Sequence, residues 1–343
     1  MRNNNSLLNF IISTISLFLT SAIMPELPEV QTIVNELNRK LKNRTIKSVE
    51  VNAPKMVAVG PSIVSNIRTA SKRSVNKFIS LLKGKKFLSV KRRAKLLIFD
   101  LSEPSPRPSP RGRGRNTLML VHLKMTGQFI FEDKKLRAKT GGQYRMFNKL
   151  SAPFVKLPGK HTHVIFKFVD GSHLYFNDIR KFGYMKLVRD NEINQVKELQ
   201  EYGPEPLDKK FTMRAFFTAV KKRHHGKIKQ VLMDPKVVAG IGNIYSDEIL
   251  FHAGARPTRA VSSLTDKELA AVYKWIKPVL IKGIKAKGSS VGDFVRTDGS
   301  WGQMGKFHFV YGRKGQKCKR CGSTIEAVKL GGRTGSFCPH CQK

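Results

Sequence analysis

The 343-residue chain is long enough for two domains with real cores. It carries 64 Lys and Arg against 24 Asp and Glu, a formal net charge of +40. The excess runs along the whole chain, which favours a polyanion partner, most simply nucleic acid, over a generically basic protein. All four cysteines lie in the last 26 residues, which excludes a scattered disulfide framework.

Residues 1–23 hold an apolar run, Leu7 to Ile23, behind a single basic residue, Arg2. Its length lies between a signal-peptide core and a short membrane span. The run fits a start assigned too early, with Met24 the true beginning; a processed leader and a retained anchor are the alternatives. Next comes Met24-Pro25-Glu26-Leu27-Pro28-Glu29-Val30. If Met24 initiates and is removed, Pro25 begins the chain with a free secondary amine. An α-amino group has a pKa of roughly 7.7–8.0, so part of it is unprotonated at neutral pH and could attack a sugar C1′. Glu26 and Glu29 lie close enough to move protons. Read locally, Pro28 opens a helix and Glu29 suits its first turn.

Val30, Ile33, Val34, Leu37 and Leu41 have helical spacing and predict an amphipathic helix behind Pro25. Strands are expected at Thr45–Val51, Phe87–Val90 and Leu96–Leu101. The run Lys91 to Lys95 before the last reads as a solvated edge. Residues 103–115, EPSPRPSPRGRGR, cannot form a core and read as a disordered insertion, either an added non-specific DNA contact or inert. Leu118–Val121 is an apolar strand, and Gly127 suits a turn presenting His122 and Met125 at a loop. His161–Phe168 and Ser172–Phe176 predict a hairpin around Asp170-Gly171. Arg180 and Phe182, two apart on an extended segment, would point the same way.

Gly203-Pro204-Glu205-Pro206 is a break, and helices are expected beyond it at Phe211–Val220, from Ile228 to Met233, and at Leu264–Ile284. Lys227 and the stretch Gly240-Ile241-Gly242-Asn243 bring glycines and a helix start together. The glycines admit a phosphate close to the backbone, and a helix opened by Asn243 offers free N–H groups. That helix ends at Gly254. Residues 288–305 are rich in Gly and Ser and predict a flexible lid. Phe307–Tyr311 reads as a strand. Cys318, Cys321, Cys338 and Cys341 form two CxxC pairs separated by 16 residues, the spacing of a four-thiolate zinc site. Disulfides or a redox CxxC are the other readings of these cysteines. Reduced thiols imply the cytosol.

PELPEV at one end and the cysteine cluster at the other resemble the bacterial formamidopyrimidine-DNA glycosylases, over nearly all of Met24 to Lys343. The resemblance implies an α+β fold of two domains: an N-terminal β-sandwich flanked by helices (24–202) and, after a hinge (203–210), a helix–two-turn–helix domain (211–306). A four-cysteine zinc β-hairpin finger (307–343) completes it. It implies a cytoplasmic, monomeric repair enzyme that binds double-stranded DNA containing oxidised bases, with one structural Zn2+ and no stable membrane partner. The catalytic set would be Pro25 as nucleophile, Glu26 as proton shuttle, and Lys95 and Arg333 on the lesion strand. Glu29 would be a structural or relay partner. Met125, Arg180 and Phe182 would fill the hole left by a flipped base. His122, Lys227 and Asn243 would hold the DNA. The implied activity is removal of oxidised purines followed by β,δ-elimination. The alternatives are the sister oxidised-pyrimidine glycosylase, against which Leu27 argues, a non-catalytic damaged-DNA-binding protein, and a membrane-anchored basic protein.

Overall fold

A computed structural model describes residues 24–62, 71–102, 116–145, 154–292 and 294–343; the leader and the 103–115 insertion lie outside them. Helix α1 (Leu27–Leu41) starts where Glu26 sits at the N-cap, its own N–H donating to Glu29 at 3.0 Å. The apolar positions Val30, Ile33, Val34, Leu37 and Leu41 are all buried, which confirms the helical spacing read from the sequence.

Two sheets follow. One has the order β1 (Ile46–Val51), β9 (Thr162–Phe168), β10 (His173–Asp178), β6 (Gly127–Glu132). The other has the order β2 (Val57–Val59), β11 (Tyr184–Arg189), β5 (Thr117–His122), β4 (Leu96–Leu101), β3 (Phe87–Arg93). Alternating inward residues give one core, with Phe87 of the second sheet edge-on to Phe166 of the first at 6.3 Å and Phe99 edge-on to Phe129 at 5.7 Å. Helix α1 and α2 (Lys72–Leu82) close the flanks of this sandwich. A short helix α3 (Lys134–Thr140) and the pair β7 (Gln143–Arg145) and β8 (Phe154–Lys156) sit beside it.

After α4 (Lys197–Glu201) the chain turns helical: α5 (Met213–Lys221), α6 (Ile228–Met233), α7 (Asn243–Ala253) and α8 (Asp266–Lys285) share a second core. α5 begins two residues later than expected because Thr212 caps it, accepting from the Ala215 N–H at 3.2 Å. Gly254 closes α7 in the left-handed conformation (φ +76°), the glycine C-cap read from the sequence. β12 (Glu326–Leu330) and β13 (Arg333–Phe337) form the terminal hairpin, joined by Gly331 and Gly332, both at positive φ.

Four expectations fail for physical reasons. Lys91 to Arg93 is not a solvated edge: it belongs to β3. Arg92 pairs with Glu205 at 2.6 Å, and Arg93 with the same carboxylate at 3.2 Å and with the Gly203 carbonyl at 2.5 Å. Glu205 also accepts the Ala94 N–H at 3.0 Å, so the segment between the domains is latched onto the β3–β4 hairpin. Phe307–Tyr311 is not a strand. The N–H groups of Phe309, Val310 and Tyr311 all donate to the buried carboxylate of Glu248, which leaves none for a ladder. Residues 288–305 are not free along their whole length but anchored at two points. The Ser289 N–H donates to Glu29 at 2.8 Å, and Thr297 donates to Glu36 through its N–H at 3.0 Å and its hydroxyl at 2.7 Å. Arg180 and Phe182 do not lie on an extended segment: β10 stops at Asp178, and Lys181 has a φ of +55°.

Candidate active site and nucleic-acid interface

Pro25 and Glu26 are buried at the junction of the two domains. The Leu27 N–H donates to the Gly240 carbonyl at 3.1 Å, docking the start of α1 onto the turn that precedes α7. Gly240 has a φ of +91°, and a Cβ there would come within 2.9 Å of the Leu27 side chain. The Glu26 carboxylate then accepts the N–H groups of Ile244 at 2.8 Å and Tyr245 at 3.3 Å. The first turn of α7 was expected to offer free N–H groups; this carboxylate occupies two of them, as the positive end of a helix favours. Asn243 is the first residue inside α7, after Gly242 at the cap, and its buried Oδ1 has no hydrogen-bond partner.

Glu29 lies one turn along α1 and is buried, accepting from Glu26 N–H, Ser289 N–H and Tyr245 Oη (2.7 Å). Burial, helped by the charge of Glu26, raises its carboxyl from 4.5 to about 7.

Lys95 is placed by the two-residue turn between β3 and β4. Burial lowers its pKa, the charges of Glu26 and Glu29 oppose that, and Arg333 adds to it. Those couplings put the β3–β4 turn, the start of α1 and the finger tip around one space. Lys95 makes no ion pair or hydrogen bond among the described residues. His122, expected on a loop, ends strand β5 and is buried. Its Nδ1 accepts the Lys124 N–H at 2.9 Å, which leaves the proton of the neutral ring on Nε2. Burial first, then Lys124 and Lys95, push its pKa down to about 3. Met24, Lys95, His122, Lys124, Gly240 and Ile241 line a cavity of about 290 Å³.

The proposed wedge is assembled by a buried aspartate that the sequence did not single out. Asp178 accepts the Gly183 N–H at 2.7 Å, the Arg180 N–H at 3.1 Å and the Thr126 hydroxyl. Met125 and Arg180 meet in that turn, with Arg180 Nη1 3.0 Å from the Met125 sulfur. The Arg180 guanidinium lies 4.8 Å over the Phe182 ring, and Phe182 is 49% exposed, far from core packing.

Lys227 is exposed at the N-terminus of α6. Lys229, two residues on, is fully buried and pairs with Asp247 at 2.5 Å. Asp247 also accepts the Ser336 N–H at 2.9 Å, which ties the finger hairpin to α7. Arg333 is exposed at the hairpin tip. The Sγ atoms of Cys318, Cys321, Cys338 and Cys341 lie within 4.8 Å of one another. Four thiolates at about 2.3 Å from one tetrahedral ion would sit about 3.8 Å apart, so the cluster fits a metal. Asp178, Asp247, Glu248 and Glu36 escaped the sequence reading because an isolated acid has no local signal of its partners.

Three family profiles match in order: the formamidopyrimidine-DNA glycosylase N-terminal domain over residues 24–185, the H2TH domain of the same enzymes over 202–295, and a zinc finger found in FPG and IleRS over 315–343. The formamidopyrimidine-DNA glycosylase of Listeria innocua is 36% identical over 320 residues, 93% of this chain and 100% of that protein. Solved structures of Lactococcus lactis Fpg with DNA containing an abasic site and with DNA containing an oxidised pyrimidine each superpose with a TM-score of 0.73. They are 30% and 31% identical and cover 93% of this chain and all of theirs. A MutM complex with DNA containing carbocyclic 8-oxo-G matches at a TM-score of 0.72 and 31% identity, with the same coverage. Among the described residues no helix is long and apolar enough to cross a membrane.

Proposed function

The chain belongs to the formamidopyrimidine-DNA glycosylase family, and on that premise we propose that it excises oxidised purines from duplex DNA and then cleaves the abasic strand. The observation that carries this is the docking of Pro25-Glu26 onto the start of α7, beside the cavity lined by Lys95 and His122. With Pro25 as the N-terminal residue, its amine attacks C1′ of the damaged nucleotide and the base leaves with the bonding pair and a proton. Glu26 takes the remaining proton from the Pro25 nitrogen and delivers it to O4′ as the C1′–O4′ bond breaks, the base having drawn its own proton from solvent, and Glu29, poised near neutrality, is the relay or structural partner behind it. The resulting iminium makes the C2′ hydrogens acidic. Loss of one expels the 3′ phosphate, and a second elimination expels the 5′ phosphate.

Lys95, His122 and Arg333 are assigned to the lesion-strand phosphates, and Lys227 and Asn243 to the backbone beside them. Extruding a base costs a few kcal/mol, which Met125, Arg180 and Phe182 offset by replacing the lost stacking. The four cysteines hold one zinc ion; its chemistry is structural, keeping Arg333 at the hairpin tip, and no step passes through it.

In the sequence as it stands Pro25 follows Met24, and its nitrogen is an amide. Borohydride trapping on a duplex with 8-oxoguanine opposite cytosine tests the reading, using chains that start at Met1 and at Met24. An adduct mapped to an N-terminal Pro25 is the expected result. Absence of an adduct from the Met24 chain, with tight lesion binding retained, would leave a damaged-DNA-binding protein without catalysis. The oxidised-pyrimidine complex of the Lactococcus relative supports a second substrate class. Against it stands Leu27, which fills the space beside Gly240. A thymine glycol duplex in the same assay separates the two.

A further inference from the structure

Lys124 is one of three lysines with a left-handed backbone among the described residues, with Lys181 and Lys287, and of these it is the one that lines the cavity beside Lys95 and His122. Its φ is +51°, a left-handed conformation that costs a non-glycine residue about 1–2 kcal/mol. The turn is forced by its surroundings: the Lys124 N–H donates to His122 Nδ1, and the Gly127 N–H reaches back to the Leu123 carbonyl at 2.9 Å. A glycine would meet both demands without strain. The Lys124 side chain is half-buried, its Nζ 5.6 Å over the Tyr184 ring.

Among the described residues, the one carboxylate whose charge acts on Lys124 is Glu198, which is shared: it is bonded to Lys186 at 3.3 Å and accepts from the Tyr184 hydroxyl at 3.2 Å. Lys124 makes no ion pair of its own among the described residues. It lines the cavity that also receives Lys95 and His122; Glu198 and Glu201 border the same space, but their carboxylates are paired with Lys186 at 3.3 Å and Lys236 at 3.5 Å, so the two lysines and the neutral N–H donor keep their own hydrogen bonds to give. Burial lowers the pKa of both lysines, against the opposing charge of Glu198 at Lys124 and of Glu26 and Glu29 at Lys95.

We propose that Lys124 is a further phosphate ligand of the lesion strand, completing with Lys95 and His122 a three-donor cradle for one phosphodiester beside the attacked nucleotide. The proposal rests on the glycosylase reading above. Its ligand class is the phosphodiester anion, and His122 enters as a hydrogen-bond donor through Nε2 while the lysines supply charge.

The test is the salt dependence of binding by the full chain to a duplex carrying a stable abasic-site analogue. Each neutralised phosphate contributes about 0.9 to the slope of log K against log salt. Lys124→Met removes the charge and keeps the stem; Lys124→Gly removes the charge and relieves the turn. Both are expected to lower the slope by about one and weaken binding roughly five- to tenfold at 0.1 M salt, with Lys124→Arg restoring both. Thermal unfolding separates folding from binding, since Lys124→Gly should melt no lower than the parent. Replacing the phosphates around the abasic analogue one at a time by neutral methylphosphonates identifies the contact: on the right duplex, parent and Lys124→Met bind alike. An unchanged slope in both variants, with parent binding intact, overturns the proposal and leaves Lys124 a turn residue. A parent that does not prefer the abasic duplex overturns the glycosylase reading itself.

Discussion

The contact between Glu26 and α7 can be broken without touching either partner. Gly242 has an ordinary extended backbone, so an alanine there meets no dihedral strain. Its Cβ would lie 2.3 Å from Glu26 Cδ and 2.5 Å from Oε1, too close for any real contact. Gly242→Ala must therefore push the carboxylate off the helix start, losing bonds of 2.8 and 3.3 Å to Ile244 and Tyr245. A hydrogen bond to a charged group contributes about 1.5–3 kcal/mol, and the longer one counts for less, so the loss is about 3 kcal/mol. At about 2–4 °C per kcal/mol, the transition should fall by about 6–12 °C. Pro25 is bonded directly to Glu26, so the rate of borohydride trapping on an abasic duplex should fall at least tenfold. The control is Gly312→Ala, where φ is +69° and nothing lies within 4 Å of the new Cβ. It carries only left-handed strain, about 1–2 kcal/mol, and should trap at the parent rate. Differential scanning calorimetry and timed trapping gels read both variants. If Gly242→Ala traps like Gly312→Ala, the idea that α7 positions Glu26 is wrong.

Cys338→Ser should weaken lesion-duplex binding more than tenfold, measured by fluorescence anisotropy, and a zinc chelator should reproduce it; circular dichroism should keep the sandwich's β signal. Phe182→Ala should leave stability within about 0.5 kcal/mol, because the ring is exposed, yet lower affinity for a lesion duplex about tenfold while sparing undamaged DNA. The Glu29 carboxyl titrates near 7 in the folded chain and near 4.5 when unfolded, so the folded state binds more protons between those values. Its contribution is therefore fully present below about pH 4.5 and lost as pH rises through 7, at most about 3 kcal/mol. Unfolding free energies of Glu29→Gln and the parent, compared from pH 5 to 8, should show a flatter pH dependence in the variant.

What the sequence made legible was whatever repeats or clusters locally. The stripe from Val30 to Leu41, the hairpin at Asp170-Gly171, the C-cap at Gly254 and the paired CxxC motifs each carry their signal within a few residues, and each stands in the structure. The misreadings share a cause of the opposite kind. Lys91 to Arg93, the segment 288–305 and Phe307–Tyr311 all take their structure from single acids far away in the chain: Glu205, Glu29 with Glu36, and Glu248. A carboxylate buried at a distant backbone has no periodicity, so neither end announces the other. Yet these acids do the joining between domains. Glu26 and Glu29 reach from the first helix to α7 and residue 289, Glu36 holds Thr297, and Glu205 holds the β3–β4 turn on which Lys95 stands. In a chain carrying +40, each such acid is a scarce counter-charge. With these acids placed at the junction, Lys95 and Lys124 make no ion pair among the described residues, which is what the phosphate-binding role proposed for them requires. The basic balance and the buried acids are thus two sides of one arrangement: negative charge knits the domains together, and positive charge is left for the ligand.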